Sequence, residues 1–191
     1  MNRWTTILTS LNDHGYLTTS QIQRLHDLGG RRNACRILND MSDYLSSFRL
    51  EETVYYLNAR GRKEVGSSVA RRRTIHVPHT LMRNEVFIRY RPDYWRPEFP
   101  IKWADKCVIP DAVFRMNGNY VFLECDHTQS MAQNERKIAS YRELRDTGIF
   151  QRKYGAFPLI MYVTVSEYRL KLLRALLDGL HAEVLRINDL R

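Results

Sequence analysis

Apolar residues near the start of the chain recur every three or four positions, the spacing of amphipathic helices, in three successive segments. The first ends at Gly15, and the second, LTTSQIQRLHDLGG, opens on a threonine suited to capping a helix and closes on a glycine pair. The third, RRNACRILNDMSDYL, gathers on one helical face Ala34, Ile37, Leu38, Met41 and Leu45. Its opposite face carries Arg31, Arg32, Asn33, Arg36 and Asn39. The pattern predicts three helices, the third apolar on one side and basic on the other.

A hairpin is predicted next, with Phe48 in its first strand and the run from Val54 to Leu57 in its second, before a helix that begins at Asn58 or Ala59. Two short helices joined at Gly29-Gly30 and followed by a hairpin resemble a winged helix-turn-helix, and YYLNARGRKEV is similar to the same part of winged-helix regulators. The resemblance implies DNA binding by the basic face of the third helix. Winged helices also serve as protein interaction modules, which is the alternative. The predicted wing tip carries Glu51 and Glu52, which phosphates would repel, so the wing is not expected to grip the DNA backbone.

A basic stretch of small residues, SSVARRRTIHVP, separates this part from the rest of the chain. It shows no apolar period and therefore predicts a linker. We divide the chain into a winged helix-turn-helix over 1–68, a linker over 69–78 and a second domain over 79–191. Arg71, Arg72 and Arg73 have two open interpretations, a solvated charge run or a set of contacts to DNA phosphates.

The second domain is predicted to run helix, strand, strand, strand, helix, strand, helix, strand, with the first strand in EFPIKW. In its first helix, HTLMRNEVFIRYR, Glu85 shares a face with the apolar Leu81 and Ile88. A glutamate in this position is unusual unless its carboxylate meets a polar or charged partner. LIMYVTVS is a continuous apolar run and predicts a strand buried on both faces. EYRLKLLRALLDGL predicts a helix, and EVLRI predicts the closing strand.

Acidic residues flank the hairpin predicted in IPDAVFRMNGNYVFLECD. Asn117-Gly118 favours a two-residue turn, which sets Ala112 opposite Leu123. Continued outward, this register sets Asp111 opposite Glu124 and Asp126 opposite Ile109, with all three acids on one face. Like charges in apolar surroundings require a metal ion, a shared proton or an opposing cation. A register slip or a bulge at Pro110 would scatter the acids, which is the alternative.

Composition and charge narrow the class of partner. The chain has 191 residues, a hydrophobic fraction of 43% and three cysteines without a metal-binding spacing. It shows neither an apolar run of membrane-spanning length nor a secretory signal, and we expect a cytoplasmic protein. Basic and acidic residues number 12 and 7 before Pro78 and 18 and 14 from there on, for a net charge of +9. An acidic polymer is the expected partner, and DNA is preferred to a membrane because no membrane-lying helix stands out.

The element order, with Pro110-Asp111 on one strand and Glu124 on the next, resembles the PD-(D/E)XK nuclease superfamily. The resemblance implies a restriction-endonuclease-like mixed sheet flanked by helices, in which Asp111 and Glu124 bind Mg²⁺ and Glu85 joins them. Asp126 stands where the family has a lysine that orients water, and a carboxylate cannot perform that role. Some members carry this lysine on the following helix, where Lys137 lies, and Gln133 with Tyr141 is similar to a helix motif of some members. The candidate catalytic residues of an active site are Glu85, Asp111, Glu124 and Lys137, and the candidate metal ligands are Asp111, Glu124 and Asp126.

Both parts together resemble the replication-relaxation family of plasmid and phage proteins from Gram-positive bacteria. The segments that carry the resemblance are GYLTTSQIQRLHDLGGRRNACRIL, YYLNARG, HTLMRNEVFIRY, IPDAVF and LECDHTQSMAQNERKIASYREL. It implies a role in plasmid replication and DNA relaxation, and it does not settle whether this chain cuts DNA. Because Asp126 replaces the lysine of the nuclease pattern, the leading hypothesis is a DNA-binding accessory or regulatory protein whose nuclease-like part is inactive. Two alternatives stay open: a Mg²⁺-dependent endonuclease or nickase targeted by the winged helix, and a dimeric transcription repressor. DNA, a second copy of the chain and other replication proteins are the expected partners.

Overall fold

A computed structural model describes residues 2–190 of the chain. It divides into two compact units, Met1–Asn84 and Glu85–Arg191. The division lies after Asn84, beyond the linker predicted over 69–78, and the predicted domain limits stay a prediction. Within residues 2–190, no helix combines the length and the apolar character needed to cross a bilayer.

The first unit is built from five helices, the last of which continues past Asn84, and three short strands. They are α1 (Arg3–His14), β1 (Leu17–Thr18), α2 (Thr19–Leu25), α3 (Arg31–Asp40), β2 (Leu45–Arg49), β3 (Thr53–Leu57), α4 (Ala59–Glu64) and α5 (Val77–Tyr90). The strands form an antiparallel sheet in the order β1-β3-β2. Thr18 caps α2 and exchanges hydrogen bonds with Gln21, as the threonine in the sequence predicted.

The apolar face of α3 anchors that helix in the core of the first unit. The five residues predicted to share this face are all buried: Ala34, Ile37, Leu38, Met41 and Leu45. The helix is shorter than predicted, because it ends at Asp40 and Leu45 begins β2. Ile7, Leu11, Ile22 and Val54 of the neighbouring elements are also buried. Burying apolar surface of this kind contributes roughly 1.5–3 kcal/mol for each large side chain. The opposite face of α3 is left toward solvent.

The second unit centres on a mixed five-stranded sheet in the order β10-β9-β8-β7-β4. Its elements after α5 are β4 (Trp95–Pro97), β5 (Ile101–Trp103), β6 (Lys106–Val108), β7 (Ala112–Met116), β8 (Asn119–Asp126), α6 (Met131–Asp146), α7 (Ile149–Tyr154), β9 (Leu159–Thr164), α8 (Glu167–Leu176), β10 (Ala182–Arg186) and a final 3₁₀ turn (Ile187–Leu190). β8, β9 and β10 are parallel, whereas β4 and β7 are antiparallel to their neighbours. β5 and β6 form a separate hairpin.

Helices of the second unit lie on both faces of this sheet. Phe122 of β8 stacks on Tyr141 of α6, with ring centroids 5.6 Å apart. On the other face, Phe114 of β7 stacks on Tyr90 of α5, with centroids 6.1 Å apart. Because both faces are covered, β9 is buried from Ile160 to Thr164, as its continuous apolar sequence predicted.

The predicted hairpin register is confirmed between β7 and β8. Met116 pairs with Asn119 and Ala112 pairs with Leu123. Asn117 and Gly118 both have positive φ, of 50° and 81°, as the turn type requires. The first predicted strand, EFPIKW, corresponds to β5, which lies outside the main sheet, whereas β4, β6 and α7 were not predicted. The later helices and strands follow the predicted order.

Candidate functional site

Two buried carboxylates lie near the end of β8. Glu124 and Asp126 are two positions apart and therefore share a face, and their exposed fractions are 1% and 0%. Their partners in the neighbouring strand β9 are Tyr162 and Thr164. A buried carboxylate is costly unless its oxygens are hydrogen-bonded or paired with a cation, so the contacts of each acid define this site.

Asp126 is held by four donors. Arg169, from the first turn of α8, donates from Nε to Oδ2 at 2.7 Å and from a terminal nitrogen to Oδ1 at 2.5 Å. Asn134 donates to Oδ1 and Thr164 donates to Oδ2, each at 2.8 Å. Burial opposes ionisation, but these hydrogen bonds and the arginine charge lower the pKa of Asp126 below its ordinary value. Asp126 is therefore a charged group whose oxygens are fully engaged inside the protein.

Glu124 has a different environment. Its two oxygens accept from the Tyr141 hydroxyl and from Lys137 Nζ, each at 2.5 Å. Burial, and next the nearby charge of Asp111, raise the pKa of Glu124 to about 8, although Lys137 and Tyr141 act in the opposite direction. The same two carboxylates hold the pKa of Lys137 above its ordinary value, against the effect of burial. Asp111, Glu124 and Lys137 are thus an electrostatically coupled group in which two acids share one cation.

Asp111 does not continue the β7–β8 ladder, which corrects the predicted pairing of Asp111 with Glu124 and of Ile109 with Asp126. The ladder ends at Ala112 and Leu123. The Asp111 amide donates to the Leu123 carbonyl at 2.9 Å, and its carboxylate accepts from the Cys125 amide at 2.6 Å. The preceding Pro110 has no amide hydrogen to donate, so the strand pairing cannot extend through it. Asp111 still acts on Glu124, through its charge.

Tyr162 adds a buried hydroxyl to this group. Its oxygen has no hydrogen-bond partner among residues 2–190. Burial, followed by the charges of Glu124, Asp111 and Asp126, raises the pKa of Tyr162 far above its ordinary range. The hydroxyl therefore stays protonated and lies within the field of all three acids.

The residues present do not fit the predicted three-acid Mg²⁺ site. Mg²⁺ takes oxygen ligands, yet each oxygen of Asp126 already accepts two hydrogen bonds and each oxygen of Glu124 accepts one. Across the described part of the chain, no three His, Cys, Asp or Glu side chains come together in a group able to hold a metal ion.

Glu85, the predicted helix acid, is buried on α5 at 3% exposure. The ring contact between Tyr90 and Phe114 places this helix on the sheet face opposite to Phe122. Glu124 shares the face of Phe122, because the two are separated by two positions. The participation of Glu85 in the acid group stays a prediction.

The basic face of α3 lies in the first unit, and two of its arginines form ion pairs, one to the hairpin and one within the helix. Arg31, Arg32, Arg36 and Asn39 are exposed, and Asn33 is half-buried with its side-chain amide donating to the Leu28 carbonyl at 2.8 Å. Arg31 pairs with Glu52 at 3.0 Å, and Arg36 pairs with Asp40 at 3.3 Å. Glu52 also accepts from the Ser20 amide at 3.0 Å. Glu52 at the hairpin tip is thus neutralised by Arg31, which lessens the repulsion of phosphates expected from it.

The arginine stretch predicted as a linker lies against the first unit. Arg71 sits over the Tyr16 ring at 5.7 Å and Arg73 over the Phe48 ring at 5.3 Å. The Tyr16 hydroxyl donates to the Arg72 carbonyl at 2.7 Å. These contacts give the stretch a fixed course, although it forms neither helix nor strand.

Sequence reasoning missed Arg169, Asn134, Thr164 and Tyr162. Thr164 and Tyr162 follow from the parallel pairing of β8 with β9, which a single sequence does not specify. Arg169 lies 43 residues from Asp126 along the chain and follows a serine that caps α8. That cap fixes where the helix begins, and it was the available signal that Arg169 occupies the first turn.

Comparison with known proteins adds three findings. A family model described as replication-relaxation matches residues 8–160. No curated protein matches the chain. Among solved structures, the crystal structure of protein VC1899 from Vibrio cholerae is similar, with a TM-score of 0.41 and 13% identity, over 97% of this chain and 48% of that chain. This chain spans about half the length of that protein, and a likeness at this level does not establish a shared fold.

Proposed function

The chain belongs to the replication-relaxation family, whose model matches residues 8–160, and on this premise we propose that it is a DNA-binding accessory protein in plasmid replication or relaxation. In this proposal the first unit binds duplex DNA as a winged helix-turn-helix. The second unit has a nuclease-like arrangement that does not cut. Each part of the proposal is supported by separate contacts.

The exposed basic face of α3 is the observation that carries the DNA-binding proposal. Arg31, Arg32 and Arg36 project from a helix whose opposite face is buried. The order helix, strand, helix, helix, strand, strand supports a winged helix, in which the helix before the hairpin lies in the major groove. Arginine suits this role because it bonds to guanine with two donors and to phosphates with the same group.

The stretch from Arg71 to Arg73 supports a second set of DNA contacts. The guanidinium groups of Arg71 and Arg73 are held by ring contacts in the same unit as α3. Held cations lose less conformational freedom on binding than freely moving ones. We assign these arginines to phosphates and not to bases, since contacts of this kind position a protein on duplex DNA without reading its sequence.

The buried ion pair between Asp126 and Arg169 in the second unit supports a role without DNA cleavage. The position where the nuclease pattern has a lysine is Asp126, and its charge is satisfied by Arg169. The Arg169 guanidinium donates from two nitrogens to the two oxygens of Asp126. Because it is held in this ion pair, it is not available to orient a water molecule. We expect such an ion pair where a former catalytic position has lost its activity and now stabilises the fold.

A metal-dependent nickase is the second candidate, and one contact favours it. Lys137 of α6 reaches Glu124, near Asp111, as a relocated catalytic lysine would. Under this candidate a divalent ion and substrate phosphate would have to displace the hydrogen bonds to Glu124. Because the pKa of Glu124 is raised to about 8, a metal ion that binds there at neutral pH would also have to release the proton of this carboxyl.

Supercoiled plasmid distinguishes the two candidates. Purified protein is incubated with plasmid in EDTA, Mg²⁺ or Mn²⁺, and the products are resolved for mobility shift and for nicking. We expect a shift under all three conditions and no nicked product. Metal-dependent nicking that is lost in Glu124→Gln would establish the nickase instead. Absence of any shift at low salt would refute DNA binding.

A further inference from the structure

A cleft opens at the end of the main sheet remote from the acid group. It lies between the β7–β8 turn, the end of α7, the segment before β9 and the residue before β10, and has a volume of about 170 Å³. Arg115, Tyr120, Tyr154, Phe157 and His181 line it. Tyr120 and Glu124 are four positions apart on β8, so the cleft and the acid group are separated by roughly 13 Å at the rise of a strand.

Aromatic rings and cations alternate in this cleft and beside it, where Tyr94, Arg96 and Lys153 lie outside its lining. Tyr120 contacts Tyr154 edge to face, with centroids 4.9 Å apart, and Tyr94 at 5.8 Å. Arg115 lies over the Tyr120 ring at 5.3 Å, and Lys153 lies over the Tyr154 ring at 5.1 Å. Arg96 extends the series over Tyr94 at 6.0 Å. The result is a short strip in which each ring has a cation beside it.

The rings pack against the protein on one side and are partly exposed. Tyr120 packs against the core of the second unit, and Phe157 beside it is buried. Tyr154 keeps 46% of its surface exposed, and Arg115, Lys153 and His181 are also exposed. Rings fixed in this way lose little freedom when a planar ligand stacks on them.

Charge selects the class of ligand. Among the described residues that line the cleft, none is acidic, and the cations Arg115 and Lys153 stand beside the two rings. A polyanion with planar groups satisfies both features, because its phosphates neutralise the cations and its bases stack on the rings. Paired bases inside a duplex present their edges and not their faces, whereas an unpaired strand presents its faces.

We propose that this cleft is a binding site for single-stranded nucleic acid, with a base stacked at Tyr154 and Tyr120 and the adjoining phosphates on Arg115, Lys153 and His181. The site is independent of the duplex contacts assigned to α3, and it gives the second unit a binding role that needs no cleavage. Processes that open duplex DNA, replication among them, supply such a strand.

Fluorescence anisotropy with a labelled oligothymidylate of about twelve nucleotides measures this binding, at matched salt throughout. Tyr154→Ala removes the exposed ring, and Arg115→Gln and Lys153→Gln each remove one charge while leaving the rings in place. We expect each variant to weaken oligothymidylate binding about fivefold or more. The variants should leave the affinity for a duplex of equal length unchanged, and thermal unfolding verifies that each is folded.

Matched controls lie on α8, away from the cleft. Tyr168→Ala removes a more accessible tyrosine, exposed at 73% against 46% for Tyr154, and Lys171→Gln removes one exposed charge. Both are expected to bind oligothymidylate as the parent does. The proposal is overturned if the parent does not bind the oligonucleotide, or if the cleft variants and the controls lose affinity equally. It is also overturned if the charge variants weaken duplex binding as much as single-strand binding. Charge reversal on α3 affects duplex binding alone, so the two proposals fail independently.

Discussion

Arg169 grips Asp126 through two parallel hydrogen bonds, of 2.7 and 2.5 Å, across 43 residues of sequence. The carboxylate is fully buried, while the arginine side chain keeps 22% of its surface exposed. The pair joins the end of β8 to the first turn of α8. It explains how an acid can occupy the core position at which the nuclease pattern has a lysine.

Loss of this arginine should destabilise the second unit. Arg169→Met keeps most of the side-chain volume but leaves a buried carboxylate without its cation, which costs on the order of 3–5 kcal/mol. Guanidinium unfolding followed by circular dichroism measures the change. Arg186→Met is the control, because Arg186 pairs with Asp189 and Glu167 in exposed positions, and it should leave the transition nearly unchanged. Equal transitions for the two variants would contradict a structural role for the pair.

The raised pKa of Glu124 predicts a definite pH dependence. The folded protein binds this proton more tightly than the unfolded chain does, with a pKa of about 8 against an ordinary value of 4.5. Its contribution to stability is therefore complete below about pH 4.5 and is lost as the pH rises through about 8. Glu124→Gln cannot ionise, so the decline in unfolding free energy between pH 6.5 and 8.5 should be smaller in this variant than in the parent.

The range from pH 6.5 to 8.5 avoids the titration of His14, which changes the stability with pH in the opposite direction. Burial, together with the charges of Arg83 and His26, lowers the pKa of His14 to about 4, so its effect develops below pH 6.5. Unfolding free energies are measured at pH 6.5, 7.5 and 8.5 in one buffer series. Identical slopes for the parent and Glu124→Gln would show that Glu124 is ionised throughout.

Restoring the lysine of the nuclease pattern should not restore cleavage. Asp126→Lys would place a second cation against Arg169 inside the protein, where the unfavourable charge contact adds to the loss of four hydrogen bonds. We expect a less stable protein that leaves supercoiled plasmid intact with Mg²⁺. Rate also depends on substrate positioning, which this change does not supply. A stable, nicking-competent Asp126→Lys protein would show that the site lacks only its lysine.

Charge reversal on α3 tests the proposed duplex contacts. Arg32→Glu with Arg36→Glu should weaken duplex binding about tenfold or more, since an arginine bonded to a base contributes roughly 1–3 kcal/mol. Both side chains are exposed, so the fold should survive. Arg60→Glu with Lys63→Glu changes the charge equally, on the exposed side of α4, and serves as the control. Equal affinities for the two double variants in a titration at fixed salt would remove α3 from the binding surface.

Local chemistry in the sequence was enough to determine most of the helices, several of the strands and one register. The apolar spacing of α3 marked its buried face, because neighbours three and four positions apart lie on one side of a helix. Asn117-Gly118 fixed the β7–β8 pairing, since that turn requires positive φ at both positions. Both signals act within a few residues, so a single sequence contains them.

Tertiary structure alone decided which charges meet. Asp126 pairs with Arg169 and Glu124 pairs with Lys137 because β8 lies beside β9 and beneath α6 and α8, an arrangement that periodicity does not specify. The same holds for the end of the ladder at Ala112, where the Asp111 side chain bonds to the Cys125 amide and the backbone pairing stops. Distant pairs form only once the sheet order brings their strands together, and that order follows from the packing of the whole unit, which no short segment encodes.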